Sequence, residues 1–172
     1  MEAGREVRGP GAVATEAPLS LRPLSPRAVQ LWRITGLVRA AVGVAGALVL
    51  EWLLDPPLPF GALAFIVAAA GLVYVVLLPP LHYGAWRYAL GESDLYLRHG
   101  VLIRTTSIVP HARIQHVDTR HGPLDRWLGL ARVVVYTAGT RGAIIPIPGL
   151  DVNEAEALRD RLAALSGAGD AV

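Results

Sequence analysis

From Phe60 to Leu81 the chain runs 22 residues without a charged side chain. About 20 such residues cross the hydrocarbon core of a bilayer, so this run constrains the fold more than any other feature. A second apolar stretch, Ile34 to Leu54, precedes it and carries Arg39 and Glu51. Its ends support a span: Trp32 and Trp52 are 20 residues apart, about 30 Å of helix, with an aromatic at each interface. Arg39 lies about two turns in and can snorkel toward the Trp32 end, while Glu51 lies close to the Trp52 end. Tyr83 and Trp86 follow the second run as a further aromatic belt. The expected architecture begins with a two-helix transmembrane hairpin over residues 31–81, with helices at about 33–54 and 60–81.

Asp55-Pro56-Pro57-Leu58-Pro59 ends the first helix and turns the chain. This turn has no arginine, whereas Arg22, Arg27 and Arg33 precede the first span and Arg87, Arg98 and Arg104 follow the second. The positive-inside rule therefore places both termini in the cytoplasm and makes the chain a multi-pass protein of the cell (inner) membrane. About thirty polar, proline- and glycine-containing residues come first, unlike a cleaved signal peptide. Residues 1–30 are expected as a disordered cytoplasmic tail. Gly36, Ala40, Gly43 and Ala47 recur at three or four, which permits close packing within the hairpin or with a partner. Arg39 and Glu51 are candidates for a polar pathway, but twelve residues separate them, too far to pair within one straight helix, and a position near a helix end accounts for each.

The chain is 53% hydrophobic, against about 45–50% for an ordinary soluble domain, and the excess sits in the spans. No cysteine is present, which excludes disulfides, Cys-ligated zinc and thiol nucleophiles. The formal charge of +2, with arginines scattered along the chain, gives no reason to expect nucleic acid. From residue 82 to 165 the texture is that of one small cytoplasmic domain. Short β-type runs at Trp86–Leu90, Leu95–Arg98, Val101–Thr106, Ile114–Thr119, Val133–Thr137 and Ala143–Ile147 are punctuated by Gly91, His99-Gly100, Gly122-Pro123, Gly139 and Arg141-Gly142. A curled antiparallel sheet or small barrel is expected. Pro123 to Leu130 predicts a helical turn with Leu124, Leu128 and Trp127 inward and Asp125 and Arg126 outward. Asp151 and Glu154 resemble a capping box ahead of a helix whose stripe is Ala155, Leu158, Leu162 and Leu165. Residues 166–172 are expected as a frayed tail.

Several segments carry a family likeness: Trp86-Arg87-Tyr88, Gly100-Val101-Leu102, Ile108-Val109-Pro110, Arg113-Ile114-Gln115, Gly122-Pro123-Leu124, Arg126, Leu128-Gly129-Leu130-Ala131 and Thr137-Ala138-Gly139. Together they resemble the bacterial pleckstrin-homology (PH) domain of YdbS-like membrane proteins, over Leu31 to Leu165. The resemblance implies two membrane helices followed by a small, mainly-β PH-like barrel capped by a C-terminal α-helix. It also implies assembly, since related bacterial PH domains oligomerise or occur in tandem. It brings no activity, cofactor or catalytic residue.

The candidate binding surface is Arg98, Arg104, Arg113, Gln115 and Arg126. Arg98 and Arg104 flank the His99-Gly100 turn, where they could touch anionic lipid. Arg113, Gln115, Asp118 and Arg126 could line a groove for a headgroup or carboxylate; alternatively, Arg126 ties the helical turn to Asp118 or to backbone carbonyls. The first strand loop, Gly91-Glu92-Ser93-Asp94, is acidic, which argues against phosphoinositide recognition there. His111, His116 and His121 are five apart, so neighbours point to opposite strand faces, and no metal site is expected. Ser93 and Ser107 have no adjacent base. The leading expectation is a non-enzymatic, membrane-anchored interaction or scaffold module without cofactor, whose partners are membrane lipids, other membrane proteins or PH-like domains, a homo-oligomer included. The alternative is a lipid-headgroup or envelope-stress sensor, or an accessory subunit of a membrane transport system.

Overall fold

The computed structural model describes residues 20–55, 57–138 and 144–167. Two long helices come first, α1 (Arg27–Leu54) and α2 (Ala62–Ala85), both long and apolar enough to cross a membrane. They pack as a hairpin through the small residues. A Cβ on Gly71 would stand 2.7 Å from Ala40 Cβ, and one on Gly36 would stand 2.9 Å from Val75 Cγ2. Ala47 and Ala64 are buried. The stripe of small residues is thus used inside the hairpin, while Leu37, Val42, Phe65 and Leu72 face outward.

Both helices extend further toward the domain than the apolar runs suggest. α2 passes through Pro79 and Pro80 to Ala85; each proline removes one N–H from the ladder, a loss that spanning helices tolerate. Only Trp86 then separates α2 from the first strand.

Six strands follow: β1 (Arg87–Leu90), β2 (Asp94–His99), β3 (Thr105–Pro110), β4 (Ile114–Arg120), β5 (Leu130–Thr137) and β6 (Ile144–Asp151). They form two antiparallel three-stranded sheets, β1-β2-β3 and β4-β5-β6. The expected closed barrel is not formed. A 3₁₀ turn at His111–Arg113 parts β3 from β4, and the segment before α1 lies between β1 and β6. In that segment Arg22 exchanges backbone bonds with Tyr88 (2.7 and 3.0 Å), and the Ser25 N–H donates to the Gly149 carbonyl at 2.9 Å. Leu24 sits in the core beside Leu97, Val135 and Leu150. Residues 20–30, expected within a disordered tail, are therefore part of the domain and of α1. The hairpin is an insertion into the domain rather than a leader to it.

The strand expected at Val101–Thr106 begins later, because the register His99↔Thr105 makes Gly100–Arg104 a hairpin loop. β6 extends to Asp151, beyond the expected Ile147. Within α3 (Pro123–Leu128) Leu124 and Leu128 are half-buried and Arg126 is exposed, as expected, but two residues face the other way: Trp127 is 74% exposed, and Asp125 is buried with its carboxylate accepting the Gly122 N–H at 2.8 Å. The C-terminal helix α4 (Val152–Gly167) lays Ala155, Leu158 and Leu162 on β4 and β5, with Leu165 at the margin. Asp151 accepts the Asn153 N–H at 3.1 Å as expected of a cap, but Glu154 does not complete a box. Residues 1–19, Pro56, the punctuation at Gly139 and Arg141-Gly142, Ala143 and residues 168–172 lie outside the described residues.

Candidate functional site

β1 leaves the end of α2 and runs away from it; β2 returns. The β2–β3 loop is thereby brought back beside the last turn of α2, while the acidic β1–β2 loop stands at the far end. Trp86 stacks on His99 with ring centroids 4.9 Å apart, fixing the base of the loop to the helix exit. Gly100 makes the loop possible. Its φ is +103°, and a Cβ there would come within 1.9 Å of the Ile103 carbonyl oxygen. This tight fold-back pushes Leu102 and Ile103 into the open, 98% and 82% exposed.

Between the loop and α2 lies a cavity of about 440 Å³, lined by Leu81, Gly84, Arg87, Arg98, Gly100 and Arg104 among others. The register places Arg87 directly opposite Arg98, and like charges so placed repel. One Arg87 nitrogen, Nη1, donates to the Tyr83 and Trp86 carbonyls at 3.2 and 2.6 Å. Among the described residues, neither Arg98 nor Arg104 has an ion pair or a side-chain hydrogen bond. The structure thus brings together Arg98 and Arg104 and adds Arg87, which sequence reasoning missed as a site residue; only the strand register reveals it.

The other candidates do not join this cluster. Arg113 ends the 3₁₀ turn just before β4, and Gln115 sits at the start of β4 at a register shift. Arg126 is on α3, beyond the other end of β4, about 20 Å of strand away. Asp118 pairs with Arg120 at 3.7 Å, not with Arg126. Asp125, rather than Arg126, ties down the turn. His116 stacks on Tyr136 at 4.0 Å, whose hydroxyl also accepts from Arg120. His111 is buried, and His121 approaches the Leu130 carbonyl at 3.4 Å.

One polar feature within the spans is structural. Glu51 is 3% exposed and reaches across the turn, its two oxygens accepting the Gly61 and Leu63 N–H groups at 2.8 and 2.5 Å. It supplies the N-terminal cap that α2 lacks in its own first turn. Arg39 borders a second cavity, of about 240 Å³, with Trp32, Thr35, Tyr74, Pro79 and His82. A third, of about 260 Å³, lies between the pre-α1 segment, β1 and α4. There the Tyr88 hydroxyl donates to the Glu154 carboxylate at 2.5 Å. Burial first, then this carboxylate, raises the phenol above the usual tyrosine range.

Comparison with known proteins agrees with this architecture. The profile of the family described as Bacterial PH domain matches residues 36–166. The UPF0699 transmembrane protein YdbS of Bacillus subtilis (strain 168) is 32% identical over 147 residues, covering 83% of this chain and 91% of that protein. No solved structure matches. With two apolar helices inserted ahead of the strands and a match over most of its length, the chain belongs to the bacterial PH domain family and is a membrane protein similar to YdbS.

Proposed function

We propose that this chain is a non-catalytic, membrane-anchored interaction module. It crosses the cell membrane twice with both termini in the cytoplasm, and its PH domain binds other membrane proteins, including further copies of itself. The arginine asymmetry around the spans supports this orientation. The observation that carries the interaction reading is the outer edge of β3. Among the described strands β3 pairs with β2 alone, it starts beside the helix exit, and Ile108 on it is 56% exposed. An open edge of this kind accepts a strand from a neighbour. Because the hairpin is inserted into the domain, that edge is held at a fixed distance from the bilayer, where a neighbour in the same membrane meets it.

The test is the mass of the full chain purified in mild detergent, with identification of co-purifying proteins. A homo-oligomer or a stoichiometric membrane partner, lost on Ile108→Arg, supports the reading. A bare monomer, or an assembly indifferent to Ile108→Arg, overturns it.

A further inference from the structure

We infer that the cleft formed by Arg87, Arg98 and Arg104 binds the phosphate of an anionic membrane lipid, with Leu102 and Ile103 entering the headgroup–acyl boundary beside it. Three independent features converge on one spot. The first is charge. The arginines gather around one cavity; two have no partner among the described residues, and Arg98 faces the like charge of Arg87 directly across the strand pair. An anion between them relieves the repulsion, and the guanidinium fork suits phosphate.

The second feature is position. Pro80 and Leu81, from the last turns of the apolar run, line the same cavity as Arg98 and Arg104. The guanidinium groups therefore stand where the hydrocarbon ends and phosphates begin. The third is the loop. Its tip carries adjacent leucine and isoleucine side chains almost wholly out of the protein, held there by Gly100. Exposed apolar side chains flanked by arginines beside a span match the face of an interfacial anchor. Trp86, at the loop base, is the aromatic that the interface favours. The volume, about 440 Å³, is within the range of small-molecule sites. The inference goes beyond the protein-partner reading: lipid binding here and assembly through β3 use different residues and fail separately.

The test uses the full chain in detergent, titrated with short-chain phosphatidylglycerol, phosphatidylcholine and inorganic phosphate and read by native mass spectrometry. Phosphatidylglycerol is expected to bind in preference to phosphatidylcholine. Arg98→Gln with Arg104→Gln should weaken it about 25-fold, roughly fivefold per arginine; Arg113→Gln with Arg126→Gln should leave it unchanged. Both pairs are exposed, so an unchanged melting temperature serves as the folding control. Equal binding of the two lipids, an unaffected double variant, or inorganic phosphate binding as tightly as phosphatidylglycerol overturns the proposal. In a second arm, the absence of cysteine makes Leu102→Cys a unique labelling site. In nanodiscs containing phosphatidylglycerol, an environment-sensitive dye at position 102 should be quenched by spin-labelled lipid, and the same dye on Glu92→Cys should not. A water-exposed, unquenched signal at position 102 also sinks the proposal.

Discussion

Replacing Gly149 by alanine tests whether the segment before α1 is truly part of the domain. Gly149 has φ +66°, a left-handed conformation that costs an alanine about 1–2 kcal/mol. A Cβ built there stands 2.5 Å from the Ala28 Cβ, 3.6 Å from the Ala28 Cα and 4.0 Å from the Leu24 Cδ1. The first distance is far inside contact, and the Ala28 Cβ is fixed to its helix backbone with no flexible tip to swing aside, so the start of α1 must shift away from β6. Overpacking of this kind costs about 1–3 kcal/mol. The sum, about 2–5 kcal/mol, is a large share of the roughly 5–15 kcal/mol that holds a domain together. At about 2–4 °C per kcal/mol for a chain of this size, the melting temperature should fall by about 4–20 °C. The assay is thermal unfolding of the full chain in mild detergent, followed by tryptophan fluorescence. Ala28→Gly separates the two terms. It leaves only the 3.6 Å approach to Cα, so in the double variant the steric part is regained and the backbone part remains. The cycle should show coupling of about 1–3 kcal/mol. Gly149→Ala melting like the parent would refute the packing of α1 on β6; strictly additive single effects would refute the steric term.

Glu51→Ala removes the acceptor for two N–H groups at the start of α2 and should cost about 2–4 kcal/mol, with Glu51→Gln losing roughly half as much; thermal melts of both variants check this, and a parent-like Glu51→Ala refutes the cap. Tyr88→Phe removes the hydroxyl that donates to Glu154 and should cost about 1 kcal/mol at neutral pH. Its pH dependence has a defined sign. The unfolded phenol ionises near ~10 and the folded one above its usual range, so the stabilisation is complete below the unfolded value and is lost as pH rises toward the folded one. The parent should therefore lose stability above about pH 10 more steeply than Tyr88→Phe, and equal slopes in melts between about pH 10 and 11 would count against the assignment.

The spans were readable because lipid imposes one simple demand, a long uncharged run, and Phe60–Leu81 meets it without reference to any other part of the chain. The stripe of α4 was readable for the same reason: Ala155, Leu158 and Leu162 encode their face locally. Where a residue's role depends on a distant partner, the sequence is silent. Arg22 and Leu24 lie in a proline-containing segment that reads as a tail, and their partners are at Tyr88 and in the far sheet. Glu51 looked like a charge at a helix end because its acceptor role needs the turn closed. Arg98 and Arg104 could be grouped because a glycine turn separates them, whereas Arg87 joins them only through strand register. The facing of Trp127 and Asp125 is not encoded locally, because α3 spans six residues, too few to set the phase of a helical stripe.

The insertion of the hairpin into the domain has a mechanical consequence. A PH domain hung from one helix by a flexible link could tilt freely over the membrane. Here α1 enters from a segment clamped between β1 and β6, and α2 leaves through Trp86, stacked on His99, directly into β1. The two attachments meet at β1, the first also holds β6, and both strands belong to the one core that includes Leu24. Rotation of the domain about either helix alone would break backbone bonds at the other. The β2–β3 loop and the β3 edge are thus carried at fixed heights above the last turn of α2. This rigidity makes a short apolar loop tip effective as a membrane contact, because little orientational freedom is left to lose on insertion.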